Sequence, residues 1–253
     1  MLAGMPARRA TEVVLEVADR KAFASAVDWP GWCRSGKTPE AALEALSSYA
    51  ERYAVVAGLA RVRFSTAAGD ELTVVEQLPG DATTAFGAVS VVASTDRRDF
   101  TAAEADRQVR LLRAGWQELD RLAVEAPEEL RKGPRGGGRD RDKMIDHVIA
   151  ADHAYAREIG VRLPEPSLAD RGAVDAERAA MLKVLRRPSD GSRLADRTAV
   201  ESERAAILVV LRRPSNGSPL ADRRWTQRYA ARRIAWHALD HAWEMEDRSE
   251  PAP

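Results

Sequence analysis

The hydrophobic period of this chain changes near residue 99, so no single layer of regular structure can satisfy both halves. Before that point the apolar residues alternate. Thr11-Glu-Val-Val-Leu-Glu-Val17 and Ala22-Phe-Ala-Ser-Ala-Val27 read as two strands joined at Asp19-Arg20-Lys21. Trp29-Pro-Gly-Trp-Cys-Arg-Ser-Gly36 reads as a turn-rich loop. Thr38 and Pro39 supply an N-cap and a first helical residue for one helix through Ala41, Leu43, Leu46, Tyr49, Tyr53 and Val56, ended by Gly58. Residues 61–65, 71–78 and 89–93 read as further strands, with turn signals at Gly69-Asp70 and Pro79-Gly80.

After Asp99-Phe-Thr101 the period is that of a helix. A long amphipathic helix is expected over residues 102–126, carrying Val109, Leu112, Trp116, Leu119 and Leu122 on one stripe. The Gly-Pro-Arg-Gly-Gly-Gly run at 133–138 is a connection and not a phosphate loop, because it lacks the Lys-Ser/Thr of one and follows no strand. A helix containing His147 is expected to run to about Gly160, where Pro164 and Pro166 break the chain. The last helix is expected from about Arg223 to Asp247.

Between these two helices lies a tandem duplication. Leu168-Ala-Asp-Arg171 recurs at 194–197 and again at 220–223. Glu177-Arg-Ala-Ala-Met-Leu-Lys-Val-Leu is answered by Glu203-Arg-Ala-Ala-Ile-Leu-Val-Val-Leu. Two copies are too few for a solenoid, so residues 168–193 and 194–219 are expected to be one bundle helix and its copy. Their apolar positions match: Met181, Leu182, Val184 and Leu185 against Ile207, Leu208, Val210 and Leu211.

Charge excludes some functions. Lys plus Arg and Asp plus Glu both count 39, giving no net field for nucleic acid. No apolar run has the length of a signal segment or membrane span, so a cytoplasmic protein without membrane contact is expected. The single Cys33 excludes an internal disulfide and is expected to be an unreactive thiol.

The residues able to carry chemistry are few. Of four histidines, His237 and His241 are one helical turn apart, and Glu244 falls within roughly 60° of them on the same helix. Two imidazoles so placed can grip one metal ion. His147 shares a helix face with Met144, Ala151, Ala154 and Tyr155, and is either a third ligand or a core histidine bonded to a carbonyl. His153 points about 240° away with Asp146 and Arg157, and is expected in solvent. Trp225, Tyr229, Trp236 and Trp243 form an aromatic stripe about 120° round from the histidines, expected in the core.

With these residues in view, segment 99–248 resembles the DinB-like superfamily of four-helix bundles. The likeness rests on His147-Val-Ile-Ala-Ala-Asp-His-Ala-Tyr155 and on the final-helix run from Arg228 through His237-Ala-Leu-Asp-His241 to Arg248. The resemblance implies that His147, His237 and His241 bind a divalent metal, zinc or nickel. It also implies metal-dependent transfer or isomerisation using a low-molecular-weight thiol. Asp28-Trp-Pro-Gly-Trp-Cys-Arg-Ser-Gly-Lys-Thr-Pro-Glu-Ala-Ala-Leu-Glu-Ala-Leu46 is similar to the HicB-like domain, which is a clue to fold alone.

The expected architecture is therefore α+β: a HicB-like module over residues 1–97, then a DinB-like up-down bundle with one duplicated helix over 98–253. Three imidazoles leave open coordination positions, as in a catalytic site. Asp240 and Glu244 would orient imidazoles or act as a base, or else pair with Arg233 and Arg248 as surface charges. Arg233 would hold an anionic substrate. The expected partners are a small molecule and, at most, a second copy of the chain. The competing reading is a non-catalytic stress-related or interaction protein with an occluded, vestigial site.

Overall fold

The structure is a computed structural model describing residues 10–132, 138–163, 197–221 and 223–249. It is α+β. A four-stranded sheet has the order β3-β2-β1-β4, built from β1 (Thr11–Ala18), β2 (Lys21–Ala26), β3 (Cys33–Gly36) and β4 (Leu72–Pro79). β1 and β2 form the expected hairpin, with Val13 opposite Ala26 and Val17 opposite Ala22. β4 lies parallel to β1, and the register skips Val75 between the pairs Val13–Val74 and Val14–Glu76.

Four corrections to the sequence reading concern this module. β3 falls inside the stretch expected to be a loop; Gly31, at φ +90°, turns the chain so that Cys33 can pair with Ser25. The single helix expected to end at Gly58 is two, α1 (Pro39–Ser48) and α2 (Ala50–Leu59). They break at Tyr49, whose ring packs on Trp243 at 5.2 Å and lies under the Arg34 and Arg52 guanidiniums. Residues 61–65 are not a strand, because the Arg61 and Val62 amides close the end of α2 on the Gly58 and Ala57 carbonyls. Residues 89–93 lie outside the sheet as well: the Ser90 and Val91 amides donate to the buried Glu16 carboxylate, so a side chain replaces the partner strand. A short helix, α3 (Ala82–Phe86), was not anticipated, although Asp81 and Thr84 form its capping box.

The expected caps are present. Thr38 accepts the Ala41 amide at 3.2 Å, and Thr101 forms a capping box with Glu104 at the start of α4 (Ala102–Glu125). The remaining described helices are α5 (Arg141–Glu158), α6 (Arg197–Leu211) and α7 (Gln227–Ser249). α4, α5, α6 and α7 share one core that includes Leu112, Trp116 and Leu119, Met144 and Val148, Ile207 and Leu211, and Ile234 and Ala238. α6 belongs to the second repeat copy, and its Ile207, Leu208 and Leu211 are buried. The first copy lies outside the described residues.

The sheet module packs directly on this core. Val13, Leu15, Trp32, Leu46 and Tyr53 share a cluster with Leu111 and Ala114 of α4 and with Leu239 and Trp243 of α7. Trp236 and Trp243 are 3% and 1% exposed, as the aromatic stripe predicts, and Trp236 meets Phe23 edge to face at 5.7 Å. Gly31 makes the approach possible, since a Cβ there would stand 2.5 Å from Leu239 Cδ1. No described helix is long and apolar enough to cross a membrane.

Candidate metal centre

α5 and α7 bring His147, His237 and His241 together. One nitrogen from each ring can be chosen so that all three lie within 4.8 Å of one another. The Nε2 atoms of His147 and His237 are 3.3 Å apart. Two nitrogens on a tetrahedral zinc at about 2.05 Å stand roughly 3.3–3.4 Å apart, so this spacing fits a shared ion. The small residues Ala238 and Ala242 on α7 are fully buried and let α5 come close.

Electrostatics keep two of these rings neutral. Burial pushes His237 down to about 2, and the charges of His241, Arg233 and His147 act in the same direction. Burial also pushes His147 down to about 4, reinforced by Arg139 and His241. A neutral imidazole offers the lone pair that a metal needs. His237 Nδ1 is buried without a hydrogen-bond partner, whereas His147 and His241 keep surface toward solvent. An ion there would stay open to an incoming ligand.

The flanking residues divide. Glu244 Oε2 lies 3.0 Å from His241 Nδ1, and Oε1 accepts from Arg248 at 2.9 Å. The bond to His241, with that to Arg248, holds its carboxyl below the usual range despite desolvation. Glu244 thus meets both alternatives set out for it, contacting the His241 ring and pairing with Arg248. Asp240 does not: it bonds neither imidazole nor Arg233, but accepts from Arg34 of β3 at 3.0 Å. Its position on α7 turns it toward the sheet module.

Arg233 lies one turn before His237 and is 8% exposed. Its guanidinium lies over the Tyr155 ring at 5.1 Å and the Trp236 ring at 4.7 Å, and the Tyr155 ring is 5.6 Å from that of His237.

His153 corrects the sequence reading most plainly. It is 6% exposed, with Nδ1 3.0 and 3.1 Å from the two carboxylate oxygens of buried Glu203. α5 buries Ile149, Asp152, His153 and Ala156 against its neighbours, while Ala154, assigned to the buried His147 face, is exposed. A helix inside a bundle has neighbours on more than one side, and the single-stripe reading ignored that. Nothing local sets Glu203 apart in the sequence, because Glu201, two residues before it, is exposed.

Cys33 is 1% exposed, accepts from Ser25 Oγ at 3.0 Å, and is pushed up to about 12 by burial. It is the unreactive thiol expected.

No family model, curated protein or solved structure matches this chain.

Proposed function

We propose that the chain binds one divalent ion, zinc or nickel, through His147, His237 and His241, and uses it in thiol-dependent transfer or isomerisation, as the likeness to DinB-like proteins implies. The observation that carries this reading is the convergence of three ring nitrogens from two helices within 4.8 Å, two of them on rings that burial keeps neutral. When bound, the ion lowers the pKa of a coordinated thiol or water, so that a nucleophile forms near neutral pH. His237 supplies the buried anchor, and Glu244 fixes the His241 ring. An occluded histidine cluster would favour a purely structural protein; His147 and His241 instead face solvent in part.

The test is transfer itself. Zinc- or nickel-loaded protein is mixed with 2-mercaptoethanol and 1-chloro-2,4-dinitrobenzene. The thiol loses its proton to buffer, a carbon–sulfur bond forms, and chloride leaves. Acceleration over metal-stripped protein, abolished in His237→Ala, is the expected result. Equal rates for loaded and stripped protein, across a panel of such electrophiles, would contradict the catalytic role.

A further inference from the structure

The arginines of α7 differ in one respect. Arg232, at 4% exposure, is held by both carboxylate oxygens of Asp96, at 2.6 and 3.1 Å. Arg228 pairs with Asp28 at 3.1 Å, and Arg248 with Glu244 at 2.9 Å. Arg233 is as deeply buried as these, yet no carboxylate lies within ion-pair distance of it among the described residues. Its Nη1 is shielded from solvent and makes no hydrogen bond. A buried cation without a counter-charge is costly, and side chains in that state are normally paired.

Its position says what the missing charge belongs to. Arg233 and His237 are one turn apart on the same side of α7, and Tyr155 touches both. Tyr155 and Trp236 lie over the guanidinium, their ring centroids 5.1 and 4.7 Å from it. A planar edge of N–H donors matches a carboxylate, whose two oxygens lie in one plane.

We propose that Arg233 is an anion subsite beside the histidine cluster, and that the ligand completing the site carries a carboxylate within about one helical turn, roughly 5 Å, of the atom that meets the metal. This rests on the metal reading above. Short mercapto- or hydroxy-carboxylic acids have that form. Arg139 is exposed and can add long-range attraction but no fixed geometry.

Cobalt-substituted protein gives a readout independent of activity, because thiolate coordination produces a charge-transfer absorption. It is titrated with 3-mercaptopropionate and with the neutral isostere 3-mercaptopropionamide. Wild type should bind the acid about tenfold or more tightly than the amide. The preference should vanish in Arg233→Gln, survive in part in Arg233→Lys, and change less than about threefold in Arg139→Gln. Equal affinities in cobalt-loaded wild type overturn the subsite and leave the metal reading intact. A preference that persists unchanged in Arg233→Gln overturns it too. If that variant does not fold, the wild-type comparison and Arg233→Lys decide. Failure to take up cobalt overturns the metal reading, and this proposal with it.

Discussion

His147 and His153 sit on the same helix, and their surroundings could hardly differ more. His153 is closed off: its Nδ1 meets Glu203 of α6, and both side chains are buried. His147 faces two further imidazoles and keeps solvent beside it. On one side the polar groups answer one another within the protein. On the other, three ring nitrogens converge and one buried guanidinium has no counter-charge among the described residues. The identity of a residue therefore says little until its partners are known. A histidine bonded to a carboxylate from a neighbouring helix is a structural element; histidines that meet chiefly one another are a candidate ligand set.

If that contrast is right, mutations on the two sides fail differently. Glu203→Ala should cost about 3–5 kcal/mol, because it strips the partner from a buried histidine and leaves a cavity. Chemical denaturation reads the loss, and metal content per folded chain should stay unchanged. A parallel fall in metal affinity would merge the two sides into one site. Glu244→Gln should do the reverse, weakening metal about 10- to 100-fold through loss of the His241 support, with little change in stability of the metal-free protein.

The two sides should also titrate in opposite senses. Asp152, 5% exposed, is pushed up to about 7 by burial, against the pull of Arg204 and Trp116. A carboxyl whose folded value is raised retains its full contribution below about 4 and loses it as pH rises toward 7. His147 and His237, depressed to about 4 and about 2, work the other way: stability of the metal-free protein falls as pH drops below about 6.5, where the unfolded histidines take up protons. Asp152→Asn should therefore gain on wild type as pH rises from about 4 to 7, by up to about 4 kcal/mol. A difference independent of pH would show that Asp152 is ionised throughout. The smallest effect belongs to Asp240→Asn. Its bond to Arg34 is partly exposed, so stability should change by less than about 1 kcal/mol, and metal affinity not at all.

Much of this fold can be read from local pattern. The β1–β2 hairpin, β4, the Thr38 and Thr101 caps and the lengths of α4 and α7 follow from alternation, helical period and capping chemistry. So does the pairing of His237 with His241, since residues four apart share a face. The features that escape are those decided by distant partners. The break at Tyr49 depends on Trp243 and Arg34, the loss of a strand at 89–93 on the Glu16 carboxylate, and the burial of His153 on Glu203, fifty residues away. Asp240 was legible as a charged residue beside the histidines, but its partner on β3 was not, because nothing local reveals that the sheet packs on α7.

Metal binding by the open side is the claim on which the rest depends, and stoichiometry tests it most directly. Wild type, His237→Ala and His153→Ala are stripped with chelator, reloaded with zinc or nickel, desalted and analysed for metal. The account predicts about one ion per chain in wild type and in folded His153→Ala, and none retained by His237→Ala. Equal metal in wild type and His237→Ala, or loss of the ion in His153→Ala while the chain remains folded, would contradict it.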